Sequence, residues 1–136
     1  MSGEPSCFHS LAERMQAFQA ADLYPVISSE FCNGRDPFDM FRMIAEAGAR
    51  LIQIREKDMC AAELCDLVRR CRSVANRTRT LLIVDDRLDV ALAANADGVH
   101  LGQEDLPIRD AKRIAPDLIV GASTHNLSEI EQAVAD

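Results

Sequence analysis

Along the chain, short apolar runs alternate with longer stretches whose apolar positions recur every three or four residues. The runs Leu23–Ile27, Arg50–Ile54, Leu81–Val84, Gly98–Leu101 and Leu118–Val120 predict strands too continuously apolar to leave a face in water. The stretches Pro37–Ala47, Ala61–Arg72, Arg87–Ala94, Ile108–Ile114 and Ser128 onwards predict helices. Each intervening crossover is long enough to bring the next strand back in parallel. Gly48 and Asn95 stand where a left-handed residue would end a helix, and Pro37, Pro107 and Pro116 mark other boundaries. Ahead of this repeat, Phe8, Leu11, Met15 and Phe18 predict an amphipathic helix over Phe8–Ala20. It belongs to an N-terminal extension, residues 1–22, that covers an end of the β/α domain, residues 23–136.

Five β/α units suit either an open, doubly wound sheet or most of an eight-unit barrel. Neither Gly-x-Gly-x-x-Gly nor a Gly-Lys-Ser/Thr phosphate loop occurs, so the doubly wound reading lacks its usual functional mark. The 136 residues, 48% apolar and 27% charged, fit one ordinary water-soluble domain. A net charge of -7 with scattered cations argues against nucleic acid and leaves a small anion as the expected charged ligand. The five cysteines form neither a disulfide framework nor a metal knuckle, which predicts a reducing compartment. No run approaches the length of a membrane span, and no signal-like start is present, so the expectation is cytoplasmic, without a membrane partner.

In parallel β/α folds the C-terminal strand ends carry function, so the polar residues there are the candidates. They are Gln53-Ile54-Arg55-Glu56-Lys57, Asp85-Asp86-Arg87, Gly102-Gln103-Glu104-Asp105 and Gly121-Ala122-Ser123-Thr124-His125. If the strand geometry persists, Gln53, Arg55 and Lys57 point to one side, an amide and two cations suited to a phosphate or diphosphate. The plainer alternative is a strand end running into solvent. Asp86 and Asp105 follow neighbouring strands and suit a hard cation such as Mg²⁺, though Asp ahead of a helix is equally a preferred N-cap. Ser123 and Thr124 fit either an anion contact or a turn-and-cap role, with Asn126 and Glu129 at capping-box spacing. His100 reads more readily as a satisfied core histidine than as a catalyst, and no Ser/His/Asp or Cys/His arrangement emerges from the order of residues.

Taken together, Gln53–Lys57, Asp85–Ala93, Ala96–Pro107 and Gly121–His125 resemble the ordered motifs of the thiamine-phosphate synthase family, from about Leu23 to the end. The resemblance implies an α/β fold, an incomplete TIM (β/α)₈ barrel of about five parallel strands with helices, preceded by an N-terminal helix. It also implies a transferase of thiamine biosynthesis, coupling aminopyrimidine methyl diphosphate to thiazole phosphate with release of diphosphate. Arg55 and Lys57 would then be catalytic, stabilising the leaving diphosphate. Gln53, Ile54, Arg55, Glu56, Lys57, Asp85 and Ser123 would bind the pyrimidine substrate, and Asp86 and Asp105 would hold Mg²⁺ as cofactor. Asp85 stands where the family usually has Asn, which adds a negative charge beside the metal aspartates.

The family's Thr-x-Thr-Lys loop and its thiazole-phosphate residues have no counterpart here, so the expectation is a piece truncated after the fifth unit. The unpaired edge of the fifth strand then offers a route to homo-oligomers, or to a partner that completes the sheet. Two readings stand beside the synthase. One is a thiazole tautomerase-like barrel, against which the intact Gln53–Lys57 and Gln103–Asp105 motifs speak; the other is a non-catalytic phosphate-ligand binding or assembly fragment.

Overall fold

Residues 3–136 are described by a computed structural model. Strands β1 (Val26–Ile27), β2 (Leu51–Ile54), β3 (Leu81–Asp85), β4 (Gly98–Leu101) and β5 (Ile119–Ala122) pair in parallel, in chain order, in a single sheet. Because that order never reverses, the sheet has no switch point of the doubly wound kind; it is the singly wound first part of a β/α barrel, with β1 and β5 as its edges. The helices are α1 (Leu11–Gln19), α2 (Pro37–Glu46), α3 (Ala61–Thr78), α4 (Leu88–Ala93), α5 (Ile108–Ile114) and α6 (Leu127–Ala135).

Several boundaries differ from the sequence-based expectation, each for a local reason. Strand β1 is shorter at its start, because Leu23 and Tyr24 are exposed and Pro25 has no N–H to give to a ladder. Helix α3 runs six residues further, to Thr78, since Val74 and Ala75 continue its buried stripe past Arg72. It stops at Arg79, which takes the left-handed conformation at φ 53°. Helix α1 starts at Leu11, where the Ser10 side chain accepts a hydrogen bond from Glu13 N at 3.1 Å. A 3₁₀ turn, Ser29–Phe31, follows β1 and had no sequence signal. Gly48 and Asn95 do adopt positive φ at helix ends, as their positions suggested.

Strand alternation divides the core in two. Ile27, Ile52, Ile54, Leu82, Val84, Val99 and Leu101 face the crossover helices and meet Phe41, Leu64, Val68, Cys71 and Ala111. Burial pushes the Cys71 thiol up to about 12, so it stays protonated and inert. On the opposite, inner face, Leu51, Leu81, Ile83 and Ile119 pack against Phe8, with Phe18 alongside. Gly98 serves this inner layer directly: a Cβ there would lie 2.7 Å from Ile119 O and 2.8 Å from Ile83 Cδ1.

The N-terminal segment is tied to the sheet by one fully buried carboxylate. Asp97 Oδ1 accepts from Ser6 Oγ at 2.5 Å and Arg14 Nε at 3.0 Å, while Oδ2 accepts from Arg72 Nη1 at 2.8 Å and Leu82 N at 2.9 Å. Four donors from the N-terminal extension, α3 and β3 thus converge on a single side chain with no access to solvent. Arg72 is equally buried, and its Nε and Nη2 lack hydrogen-bond partners among the described residues, so it depends on Asp97 for its charge balance.

Asp97→Ala is therefore expected to cost about 3–5 kcal/mol, the penalty of leaving buried charge unpaired. The exposed Arg77–Glu46 pair, 2.9 Å apart, is a suitable control. Arg77→Ala should cost no more than about 1 kcal/mol. Urea unfolding of both variants checks the contrast; equal losses would remove the central role given to Asp97.

Candidate functional site

The same alternation that builds the core delivers a set of polar side chains to the inner face at the C-terminal strand ends. Gln53 pairs in register with Ile83, which pairs with Gly98; one rung higher, Asp85, His100 and Gly121 line up across β3, β4 and β5. The ladder continues one step beyond two strands, with Arg55 N donating to Ile27 O at 2.8 Å and Ser123 N to Leu101 O at 2.9 Å. Arg55 and Ser123 therefore stay on the inner side.

Two of the expected substrate-binding residues are placed otherwise. The Ile54 side chain is turned to the helices and 1% exposed, so only its backbone remains available to a ligand. Glu56 Oε1 accepts from Ser29 N at 2.7 Å and from Ser29 Oγ at 2.8 Å, pinning the 3₁₀ turn after β1. Its carboxylate is committed to the rim, and a diphosphate would in any case repel it.

Lys57, Asp85 and Asp86 do converge. Lys57 Nζ lies 2.5 Å from Asp86 Oδ2 and 2.7 Å from Asp85 Oδ2. The Asp85 and Asp86 carboxylates hold the ammonium above its ordinary range, so Lys57 is fully charged. Asp85 Oδ2 is buried, and its polar partner among the described residues is the Lys57 ammonium. Arg55 is held more loosely, 3.9 Å from Glu30, and about two-fifths of its side chain is exposed. Nothing within the described residues competes strongly for that guanidinium.

Neither candidate metal aspartate caps a helix. Position Arg87 precedes α4 and Pro107 precedes α5, and neither supplies a side-chain cap. Asp86 sits at φ 58°, with its N–H donating to His100 O at 2.7 Å, a backbone turn that sends its carboxylate to Lys57. Asp105 Oδ2 closes its own loop by accepting from Gly102 N at 2.7 Å. Asp86 at the end of β3 and Asp105 in the loop after β4 offer hard carboxylate oxygens of the kind a divalent cation takes, and Asp85, beside Asp86, adds a buried one. No three acids, histidines or cysteines form a ready-made cage among the described residues. Mg²⁺ does not require one, since it commonly takes one or two protein carboxylates.

Three further residues take part: Gln103, which lies in a candidate motif, His100, which read as a core histidine, and Tyr24, which had no sequence signal. Tyr24 lies near Phe18, edge to face, and its hydroxyl accepts from Gln53 Nε2 at 3.0 Å; partial burial raises its pKa, so it stays neutral. His100 lies on the inner face, where its Nε2 shares a hydrogen bond with Ser123 Oγ at 2.7 Å. Gln103 Nε2 donates to Ser123 O, also at 2.7 Å. Strand parity could have placed His100 inside; nothing in spacing linked Tyr24 to Gln53. The helix cap of α6 is Asn126, whose side chain accepts from Glu129 N at 3.0 Å, as its spacing suggested.

Comparison with known proteins agrees with the motifs. The family described as thiamine monophosphate synthase matches residues 23–136. The chain is 35% identical over 128 residues to the thiamine-phosphate synthase of Caldicellulosiruptor saccharolyticus, covering 93% of this chain and 58% of that protein. It is 42% identical over 116 residues to that of Moorella thermoacetica, covering 85% and 55%. Among solved structures it resembles a thiamine phosphate pyrophosphorylase from Pyrococcus furiosus, with a TM-score of 0.75 and 40% identity over 82% of this chain and 55% of that one. The chain spans about half the length of the curated relatives it matches.

The backbone at Asp86 separates a geometric role from a chemical one. Asn tolerates left-handed φ and Ala does not, so Asp86→Ala should be less stable than Asp86→Asn by about 1–2 kcal/mol. Both variants lose the charge that faces Lys57. Urea titration of the pair tests this, and equal stabilities would mean that the left-handed turn imposes no constraint.

Proposed function

The chain belongs to the thiamine monophosphate synthase family, and from that premise we propose that it carries the pyrimidine-diphosphate half of a transferase joining aminopyrimidine methyl diphosphate to thiazole phosphate. The observation that supports this reading best is the meeting, on one inner mouth, of Lys57 from the end of β2 with Asp85 and Asp86 from the end of β3. A cation held against carboxylates, with Arg55 on the same side of the strand end, is an arrangement for a ligand that brings both negative charge and a metal ion.

In the proposed reaction the methylene C–O bond breaks and its electron pair leaves with the diphosphate. The thiazole nitrogen lone pair then forms the new C–N bond, and the electron-rich pyrimidine stabilises the positive charge in between. No protein nucleophile or acid/base pair is needed. Arg55 and Lys57 would bind the diphosphate oxygens and oppose the charge that grows as they depart. Gln53 and Ser123 would hold the pyrimidine ring against the inner face, keeping the methylene within reach of the thiazole nitrogen. Asp86 and Asp105 would hold Mg²⁺, with Asp85 adding charge at the same place; the ion would supply further positive charge against the leaving group. A reducing, cytoplasmic setting is in keeping with five free cysteines, and no described helix is long and apolar enough to cross a membrane.

Lys57 already sits between two of the carboxylates, so it competes with a metal ion for them. Isothermal calorimetry should show pyrimidine diphosphate binding that depends on Mg²⁺; heats that are the same with chelator present would count heavily against the proposal. In the absence of substrate, Lys57→Met should tighten Mn²⁺ binding by about fivefold or more, because one like charge leaves the site. The same substitution should weaken diphosphate binding. Unchanged metal affinity would separate Lys57 from the metal position.

A further inference from the structure

Ser123 is held more firmly than a turn residue requires. Its N–H donates to Leu101 O at 2.9 Å, its carbonyl accepts from Gln103 Nε2 at 2.7 Å, and its hydroxyl meets His100 Nε2 at 2.7 Å. The hydroxyl has no duty to helix α6, which Asn126 caps. The imidazole reaches Ser123 by crossing β5 at Gly121, where a Cβ would come within 2.9 Å of His100 Nδ1. A glycine at that rung is therefore a spatial requirement of the His100–Ser123 contact.

The His100 end of this pair borders an apolar trough. This trough, of about 740 Å³, runs along β5, lined on the inner face by Phe18, Tyr24, Ile83 and His100 and continuing around the strand's open edge to Leu118 and Val120. Apolar walls with few polar points suit a flat ring. Two polar residues of the trough wall each orient a neighbour beyond it: Tyr24 takes one amide hydrogen of Gln53, which directs the rest of that amide, and His100 takes up one of the directions open to the Ser123 hydroxyl. A free serine hydroxyl rotates among several orientations; a paired one presents a defined direction to a ligand.

We infer that His100 is a positioning residue for the Ser123 hydroxyl, setting the direction in which it meets a nitrogen or amino group of a heteroaromatic ring; this rests on the reading of the site proposed above. His100 touches Ser123 and not the reacting atoms. Its loss is felt through Ser123 alone, and at the ring end of the substrate, not the diphosphate end.

The test uses the full chain and four variants: His100→Ala, His100→Gln, Ser123→Ala and the double alanine. Calorimetry with Mg²⁺ measures affinity for pyrimidine methyl diphosphate and, separately, for inorganic diphosphate. His100→Ala and Ser123→Ala are each expected to weaken the pyrimidine ligand about tenfold, the worth of one hydrogen bond. The double variant should be no worse than Ser123→Ala, His100→Gln should recover part of the loss, and inorganic diphosphate should bind all five proteins alike. In the ligand-free chain, the imidazole ¹⁵N resonances of His100 should shift in Ser123→Ala. Wild-type affinity in His100→Ala, additive losses in the double variant, or a parallel loss of inorganic diphosphate would overturn the inference while leaving the proposed function standing. Absence of pyrimidine diphosphate binding by the unsubstituted chain would instead remove the proposed function itself.

Discussion

Unbroken parallel register across five strands is the constraint on which the rest of the molecule depends. Side chains alternate along each strand, and neighbouring strands stay aligned, so one set of positions builds the layer under the helices while the other set forms an inner face. Ile52, Ile54, Val84 and Val99 follow the first parity and are buried against α2, α3 and α4. Gln53, Asp85, His100 and Gly121 follow the second. A slip of one residue in any strand would exchange a core aliphatic for a site residue, so core packing and site geometry are secured together.

The two ends of the inner face are treated differently. At the N-terminal strand ends, Phe8 and Phe18 close the apolar layer, and Asp97 draws Ser6 and Arg14 of the extension towards Arg72 and β3. Isolated buried charge would be strongly unfavourable; four donors to one carboxylate make it tolerable and give the extension a single seat. At the C-terminal ends the charges are only partly buried and partly satisfied. Lys57 is about half exposed, and the buried Asp85 Oδ2 has the Lys57 ammonium as its partner. A carboxylate with both oxygens engaged at one end, and partly exposed charges at the other, are what a scaffold below a binding site requires.

Asp85 gives this chain its own character. With Asp86 it surrounds Lys57 by two carboxylates, so the ammonium is held close to the strand ends in the absence of any ligand. Cation, carboxylate and diphosphate then form a coupled set in which each new charge changes the value of the others. The left-handed turn at Asp86 reinforces this, since it directs the carboxylate inward at a backbone position that few side chains accept.

Much of the architecture follows from local pattern. Continuous apolar runs and intervening helical periods give the five β/α units, and Gly48 and Asn95 mark helix ends because left-handed φ is a local property of those residues. The motifs at strand ends carry the family assignment in the same way. What local pattern does not contain is whether a polar side chain is free or already engaged. Glu56 belongs by sequence to the diphosphate motif, yet it holds Ser29; Asp86 and Asp105 resemble caps, yet neither caps; His100 reads as a satisfied histidine, and only the fold names Ser123 as its partner. Strand order, the partners of Asp97, and the Tyr24–Gln53 pair likewise join residues distant along the chain. The amino-acid sequence alone determined the repeating units and the chemical inventory, because both depend on neighbours within a few residues. Tertiary structure alone decided which members of that inventory face one another, because hydrogen bonds and ion pairs across strands depend on register and burial that no local window records.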